Sequence, residues 1–258
     1  MNTAASPASA FSLQGKVAIV TGCGGGLGQG IAQGLAHAGC DVVGVDLKDI
    51  TETQHLVESE GQRFLGLSND ISQLPEIDAV IAQAVQAFGH IDVLVNNAGA
   101  IRRGDALSFS QADWDEVMDL NIRTVFFFCQ AAAKQFIAQK TGGKIINIAS
   151  MLSFQGGIKV PSYTASKSAV MGLTRLLANE WAGMNINVNA LAPGYMATPM
   201  SADLRSDTAR NQAIVERIPA GRWGTPHDMA GPAVFLASSA ADYVQGYTIA
   251  VDGGWLSR

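Results

Sequence analysis

The chain has 258 residues, of which 48% are hydrophobic and only 15% are charged. A typical soluble domain carries about 25% charged residues, so this composition predicts one large core and subunits that bury part of their surface against each other. The high hydrophobic content excludes an intrinsically disordered chain. The net charge of −5 argues against nucleic acid as a partner, because such a partner needs a surface of clustered positive charge.

The cysteines, the histidines and the first residues exclude further classes of protein. Cys23, Cys40 and Cys129 are an odd number and widely spaced, which argues against a disulfide framework or a zinc site. The four histidines have no ligand spacing, so we expect no metal. The chain lacks a signal-peptide pattern and any run of about 18 apolar residues that would span a membrane. We therefore expect a cytoplasmic protein with no membrane partner, which begins with a disordered tail over residues 1–10.

Short apolar runs of strand length alternate with longer amphipathic stretches through residues 11–258. The runs that predict strands are 16–21, 41–46, 63–70, 91–97, 144–150, 186–194 and 247–254. The stretches that predict helices include 75–89, 121–140 and 162–182. Because strands this apolar must be buried on both faces, the alternation predicts an α/β protein with a single-domain Rossmann fold, a doubly wound parallel sheet with helices on both faces.

The alternation breaks over about 195–225, where a polar helix pattern and the string IPAGRWG occur. This segment follows the carboxyl end of a predicted strand, which is where doubly wound folds bind ligands. We therefore predict a small substrate lid here, within the one domain that spans 11–258.

A glycine cluster separates the first predicted strand from the first predicted helix. It reads Thr21-Gly22-Cys23-Gly24-Gly25-Gly26-Leu27-Gly28. Glycines at this point let a pyrophosphate approach the N–H groups of the helix N-terminus. Glycines also form flexible turns, but the strand before and the helix after favour a dinucleotide loop. Its expected cofactor contacts are Gly22, Gly26, Leu27 and Gly28.

Asp46 ends the second predicted strand, 18 residues after Gly28. A carboxylate at about this distance accepts hydrogen bonds from the adenosine ribose and repels a 2′-phosphate. Lys48 is the only cation near it. The sequence therefore predicts NAD as the cofactor, in preference to NADP.

Tyr163 and Lys167 lie four residues apart in a predicted helix, so they share one face. Ser150 ends the preceding predicted strand, and Asn121 opens an earlier predicted helix. Tyr–Lys pairs at this spacing are common by chance, but the serine and the dinucleotide loop favour catalysis. A free phenol titrates near pH 10, and a neighbouring ammonium together with a positive nicotinamide would lower its pKa. Tyr163 could then take a proton from an alcohol while hydride leaves for the cofactor.

With these motifs, nearly the whole chain resembles the short-chain dehydrogenase/reductase family. The family's motifs are TGxxxGxG, NNAG, YxxxK and PG, which stand here at 21–28, 96–99, 163–167 and 193–194. The resemblance implies an NAD(P)-dependent oxidoreductase that acts on a CH–OH group.

The resemblance also implies roles for individual residues. Asn121, Ser150, Tyr163 and Lys167 match the catalytic tetrad. Ser150 would orient the carbonyl oxygen, Lys167 would also bind the nicotinamide ribose, and Asn121 would hold a water in the proton relay. The remaining implied cofactor contacts are Asp70 and Ile71 at the adenine, Thr198 at the carboxamide, and Asn97, Gly99, Pro193, Gly194 and Met196 between them.

Longer strings are similar to family members that act on deoxy sugar acids of the 2-dehydro-3-deoxy-D-gluconate or 2-deoxy-D-gluconate type. The strings are NNAGAIRRGDAL, GGKIINIASMLSFQGGIKVPSYTASKS, LAPGYMAT and YTIAVDGGWLSR. D-gluconate 5-dehydrogenases share the arginine pair, so a D-gluconate 5-dehydrogenase or another polyol or sugar dehydrogenase of the same family is the alternative. A sensor or scaffold that binds a dinucleotide without catalysis is the alternative of a different class, although the intact tetrad argues against it.

A sugar acid carries a carboxylate, which an arginine can bind through two parallel hydrogen bonds. Arg102 and Arg103 follow NNAG, and we expect at most one to reach the substrate, because adjacent surface arginines are often solvated. Gln155 and Tyr195 join Ser150 as further substrate candidates.

The two long predicted helices near 121–140 and 162–182 carry many small residues. They are Ala131, Ala132 and Ala133 on one helix and Ala165, Ala169, Gly172 and Ala178 on the other. Helix faces made of small residues let two backbones pack closely. The low content of charged residues indicates that surface is buried between subunits, so the sequence predicts a homotetramer.

Overall fold

The computed structural model describes residues 9–258, which fold around one seven-stranded sheet. The strands are β1 (Val17–Thr21), β2 (Asp41–Val45), β3 (Phe64–Leu67), β4 (Val93–Asn96), β5 (Gly143–Ile148), β6 (Ile186–Pro193) and β7 (Thr248–Val251). The helices are α1 (Gly26–His37), α2 (Thr51–Ser59), α3 (Leu74–Phe88), α4 (Gln111–Met118), α5 (Thr124–Gln139), α6 (Pro161–Trp181), α7 (Ala202–Ser206), α8 (Thr208–Arg217) and α9 (Ala230–Ala237). All neighbouring strands pair in parallel, in the order β3-β2-β1-β4-β5-β6-β7. The predicted doubly wound Rossmann fold is confirmed.

Apolar cores lie on both faces of the sheet. Successive residues of a strand point to opposite faces; accordingly, Ile19 of β1 belongs to one apolar cluster with Phe128 of α5. Its neighbour Val20 belongs to another cluster with Ile31 of α1. All four side chains are fully buried. A strand covered on both faces needs apolar side chains at every position, which explains the continuous apolar runs in the sequence.

The direction of strand progression reverses at β1, because β2 lies on one side of it and β4 on the other. At such a switch point the loops that leave the two strands run apart and open a crevice at the carboxyl edge of the sheet. The loop that begins at Gly22 and the loop that begins at Asn97 border this crevice.

Three elements differ from the sequence prediction, one of them β7, which ends at Val251 rather than at residue 254. Asn121 does not open a helix: a π-helical turn, Asp119–Arg123, joins α4 to α5 without a break. Strand β3 ends at Leu67 rather than near residue 70, because the Asp70 side chain accepts hydrogen bonds from the backbone and hydroxyl of Ser72 and closes a turn there.

The predicted tail over 1–10 lies mostly outside the described residues. From residue 9 the chain forms a short 3₁₀ turn, Ser9–Phe11, in which the carbonyl of Ala10 accepts a hydrogen bond from Ser239. Within residues 9–258, none of the helices combines the length and the apolar character that crossing a membrane would require.

Candidate active site

A cavity of about 1460 Å³ opens at the carboxyl edge of the sheet. Its walls come from the loops that follow β1 to β6 and from the lid segment. The predicted site residues that line it are Gly22, Gly26, Leu27, Asp46, Asp70, Ile71, Asn97, Gly99, Arg103, Ser150, Gln155, Tyr163, Lys167, Pro193, Gly194, Tyr195, Met196 and Thr198. Gly28, Arg102 and Asn121 do not line the cavity.

The glycine loop turns tightly into α1 and leaves room beside it. Gly22 has a φ of +67°, a conformation that L side chains rarely adopt. A Cβ on Gly28 would collide with the Gly22 carbonyl, whereas a Cβ on Gly25 would meet nothing within 4 Å. Gly28 therefore permits the close turn, while Gly25 faces open space. No side chain caps the N-terminus of α1, so its first N–H groups suit an anionic group such as a pyrophosphate.

Asn97 fixes the distance between this loop and β4. Its side-chain amide donates to the carbonyls of Thr21 and Gly22, each at 2.9 Å. The Thr21 hydroxyl accepts in return from the backbone of Asn97 and of Ala98, each at 3.0 Å. Asn97 thus supports the cofactor loop as well as lining the cavity.

Asp46 stands at the end of β2, as the sequence predicted, and lines the cavity. Its carboxylate accepts hydrogen bonds from the backbone of Gly24 at 2.8 Å and of Lys48 at 2.9 Å. These bonds hold the carboxylate against the glycine loop. The Lys48 side chain has no carboxylate partner within residues 9–258 and also lines the cavity.

Tyr163 and Lys167 lie on the same face of α6, next to Ser150 at the end of the β5 segment. The Lys167 ammonium donates to the carbonyl of Ile148 at 2.6 Å and lies 5.7 Å from the centre of the Tyr163 ring. The Ser150 hydroxyl accepts from the backbone of Leu152 at 3.1 Å. The predicted tyrosine–lysine–serine group is therefore assembled at one wall of the cavity.

Burial and nearby charges change the proton affinity of this group. Burial raises the pKa of Tyr163, while a hydrogen bond from Ser150 and the positive charge of Arg103 lower it. Burial also lowers the pKa of Lys167 to about 8, because the charged ammonium is poorly solvated there. The sequence predicted that Lys167 would lower the phenol's pKa. In the structure Ser150 and Arg103 do so, and the ammonium is directed at the Ile148 carbonyl.

Asn121 lies behind the site, fully buried in the π-helical turn. Its amide oxygen accepts from the backbone of Ala100 at 2.8 Å, and its amide nitrogen donates to the Ala100 carbonyl and to Ser166. The side chain thus binds the loop after β4 to α6. Its role in holding a relay water stays a prediction.

The two adjacent arginines have different surroundings. Arg102 does not line the cavity and forms ion pairs with Glu116 and Asp113. Arg103 lines the cavity, donates to the Met200 carbonyl at 3.4 Å, and has no carboxylate partner within residues 9–258. Of the pair, only Arg103 has a free charge directed to a ligand site.

The lid and the segment after β7 contribute residues that sequence reasoning missed. Arg210, Arg217 and Trp255 line the cavity. The Arg217 guanidinium lies 4.0 Å from the centre of the Trp255 ring, which in turn contacts Tyr195 at 4.7 Å. The polar pattern of α8 was visible in the sequence, but nothing in its spacing connects Arg217 to a tryptophan 38 positions later. Residues 9–258 contain no cluster of side chains that could hold a metal ion.

Comparisons with known proteins agree with this geometry. A family model described as Enoyl-(Acyl carrier protein) reductase matches residues 22–256. The chain is 68% identical over 250 residues to 2-dehydro-3-deoxy-D-gluconate 5-dehydrogenase of Escherichia coli (strain K12), covering 97% of this chain and 99% of that protein.

Solved structures with the same fold include three with a bound dinucleotide. One, of a proposed 2-deoxy-d-gluconate 3-dehydrogenase from Agrobacterium tumefaciens with bound NADP, has 54% identity and a TM-score of 0.90, covering 96% of this chain and 99% of that one. Another, of a gluconate 5-dehydrogenase from Burkholderia cenocepacia in complex with NADP and tartrate, has 38% identity and a TM-score of 0.92, covering 97% and 99%. Sequence, fold and site geometry agree, and the chain belongs to the short-chain dehydrogenase/reductase family.

Proposed function

We propose that the protein transfers a hydride between a nicotinamide dinucleotide and a secondary hydroxyl or ketone of a deoxy sugar acid, of the 2-dehydro-3-deoxy-D-gluconate or 2-deoxy-D-gluconate type. One observation carries the proposal. Tyr163, Lys167 and Ser150 meet in the same cavity as the glycine loop and an arginine whose charge has no carboxylate partner within residues 9–258.

The residues present fit a dinucleotide. Gly22, Gly26 and the N–H groups at the start of α1 would hold its pyrophosphate, Asp46 the adenosine ribose and Lys167 the nicotinamide ribose. When bound, the dinucleotide supplies the hydride acceptor or donor.

Tyr163 exchanges the proton. In oxidation its phenolate takes the proton of the substrate hydroxyl; in reduction the phenol returns it to the nascent alkoxide. The Ser150 hydroxyl has a single hydrogen, which is donated to Tyr163 when no substrate is bound and to the substrate oxygen once substrate is bound, where it stabilises the partial negative charge. Because burial raises the pKa of Tyr163, the hydrogen bond from Ser150 and the charge of Arg103 are needed to keep the phenolate accessible.

Arg103 is the group that we assign to the substrate carboxylate. It is the member of the arginine pair that lines the cavity without an acidic partner within residues 9–258, and a guanidinium matches a carboxylate through two parallel hydrogen bonds. Gln155 and Tyr195, which also line the cavity, are assigned to the substrate's hydroxyl groups and to the pocket wall. The high identity to a 2-dehydro-3-deoxy-D-gluconate 5-dehydrogenase supports the deoxy sugar acid over D-gluconate.

For the cofactor we propose NAD in preference to NADP. Asp46 stands where a ribose 2′-phosphate would meet its negative charge, and the loop from Gly22 to Gly28 contains no cation. Lys48 is the residue that could offset this charge, and the solved relatives contain NADP. The cytoplasmic location inferred from the cysteines stays a prediction.

The direct test is a panel of sugar acids and their keto forms, assayed with both dinucleotides by the absorbance of the reduced nicotinamide. We expect turnover of a deoxy sugar acid, with D-gluconate slower. Tyr163→Phe should abolish turnover and leave dinucleotide binding nearly unchanged, since only the proton-transfer group is lost. Substantial turnover by Tyr163→Phe would refute the assignment of the base. Dinucleotide binding without turnover of any panel member would favour a sensor or scaffold.

A further inference from the structure

Ser153 is a buried serine three residues after Ser150, and it does not line the cavity. It ends the short 3₁₀ turn Met151–Ser153 that follows β5. Its hydroxyl donates to the backbone carbonyl of Lys167 at 2.6 Å and accepts from the backbone N–H of Ser150 at 3.3 Å. One hydroxyl therefore bonds to the main chain of two proposed catalytic residues.

Lys167 is held at its other end as well. Its ammonium donates to the Ile148 carbonyl at 2.6 Å, and Ile148 lies two residues before Ser150. Three hydrogen bonds and the intervening main chain thus close a ring through Ile148, Ser150, Ser153 and Lys167. The ring links the end of β5 to the middle of α6, one helical turn beyond Tyr163.

This ring bears on the reaction through the distance between Ser150 and Tyr163. The two residues lie on different elements, and their hydrogen bond lowers the pKa of the phenol against the effect of burial. A hydrogen bond weakens steeply when its length or angle changes, and a misplacement of about 1 Å at a reacting group can reduce a rate by about a hundredfold.

We propose that Ser153 is a positioning residue, which fixes Ser150 and Lys167 relative to one another and so sets the geometry of the proton-transfer group. The inference rests on the proposed dehydrogenase function. Ser153 acts through these residues, because it lies behind the cavity wall and reaches neither substrate nor dinucleotide.

The test is Ser153→Ala, compared with Ser162→Ala. Ser162 is a matched control, since it too is a buried serine near Tyr163, but its hydroxyl has no hydrogen-bond partner within residues 9–258. For Ser153→Ala we expect kcat to fall about ten- to hundredfold with KM and the dinucleotide Kd nearly unchanged, and the pH at which oxidation is half-maximal to rise. Ser162→Ala should retain the wild-type profile, and Ser153→Thr, which keeps the hydroxyl, should recover most of the lost rate.

A second readout does not depend on turnover. Tyrosinate absorbance followed against pH gives the pKa of Tyr163 once the Tyr163→Phe titration has been subtracted, and Ser153→Ala should raise it. If the substrate panel fails but this shift occurs, the proposed function is wrong and the positioning role stands. Wild-type kcat and an unshifted phenol in Ser153→Ala would overturn the inference. The inference would also be overturned if kcat fell only in proportion to the loss of folded protein, measured by circular dichroism, while the pKa of Tyr163 stayed unchanged.

Discussion

At the scale of single residues, the adjacent arginines provide a test of substrate recognition. Arg103→Ala should raise KM for the acid by about 30-fold or more, because removing the partner of a charge in a partly desolvated site costs about 2–5 kcal/mol. The KM for a neutral analogue with the same reacting hydroxyl should change much less, whereas kcat should fall for both substrates, because the charge of Arg103 also lowers the pKa of Tyr163. Steady-state kinetics on both substrates measures the difference.

Arg102→Ala is the matched control. Arg102 is ion-paired with Glu116 and lies outside the cavity, and an exposed pair of this kind contributes about 0–1 kcal/mol. We expect less than a tenfold change in KM. If both variants changed KM for the acid by the same small factor, the assignment of Arg103 to the substrate carboxylate would be wrong.

Lys167 gives a prediction about stability and pH. Burial lowers its pKa to about 8, against about 10.4 for a free lysine. Between these values the unfolded chain holds a proton that the folded protein has lost, so the free energy of unfolding rises with pH. Below about pH 8 both states are charged, and the folded state carries the full cost of the buried ammonium.

The comparison that isolates this effect is wild type against Lys167→Met without dinucleotide. From pH 7 to 10.5 the wild type should gain up to about 3 kcal/mol relative to the variant, because one pKa unit corresponds to 1.36 kcal/mol. Urea unfolding at each pH measures the gain. If the difference in the free energy of unfolding between the two proteins stayed constant from pH 7 to 10.5, the lowered pKa of Lys167 would be contradicted.

The proposed catalytic residues show how far sequence reasoning reaches at this scale. Tyr163 and Lys167 could be paired because a four-residue spacing has one geometric meaning on a helix. The choice between Arg102 and Arg103 could not be made, since it depends on where Glu116 of α4 lies. The contacts of Ser153 with Lys167 were likewise hidden, because they join two elements whose separation the sequence does not specify.

At the scale of secondary-structure elements, the end of β2 controls the cofactor prediction. Asp46→Asn should weaken the use of NAD by about ten- to hundredfold, the range expected when a hydrogen bond to a charged group, about 1.5–3 kcal/mol, is lost. The substitution should also reduce the difference between the kcat/KM values for NAD and for NADP. The asparagine keeps an oxygen that can accept from Gly24, so the loop should stay in place. Measurement of kcat/KM for both dinucleotides, in the wild type and in Asp46→Asn, checks this prediction.

Lys48→Gln is the companion variant, since Lys48 also lines the cavity. If its ammonium binds a 2′-phosphate, the substitution should reduce the use of NADP alone. Wild-type protein that uses NADP as well as NAD would show that Asp46 does not decide the preference.

The elements themselves were predictable where one periodicity ran uninterrupted. The apolar runs of β1, β4 and β5 required burial on two faces, and the structure provides it. The π-helical turn at Asp119–Arg123 could not be foreseen, because one extra residue in a helical turn alters hydrogen bonding without changing composition. It places Asn121 inside a helix, where its amide holds the backbone of Ala100.

At the scale of the whole molecule, the outer faces of α5 and α6 offer an apolar surface at which the predicted homotetramer would have an interface. Ile137 and Leu176 are each 49% exposed and border one shallow depression. Exposed apolar groups that adjoin one another favour an interface. Several of the small residues singled out in the sequence, including Ala132 and Ala178, are instead buried within the subunit.

We therefore expect Leu176→Glu to break the assembly into smaller species, because it places charge in an apolar contact. Leu107→Glu is the control, because Leu107 is fully exposed, lies in the loop before α4 and does not border this depression. Sedimentation velocity at micromolar concentration distinguishes the species. A wild-type monomer under these conditions would refute the tetramer.

Backbone hydrogen bonds join the two ends of the lid segment. Gly224 donates to the carbonyl of Tyr195 at 2.9 Å and accepts from the backbone of Ala197 at 2.7 Å, so the segment 197–223 is closed at its base. A loop with joined ends can change length at a small entropic cost, and the scaffold below it does not have to move. This segment carries Arg210 and Arg217. A chimera that exchanges residues 202–223 between relatives should therefore alter the proposed substrate wall and leave Thr198, an expected cofactor contact, in place.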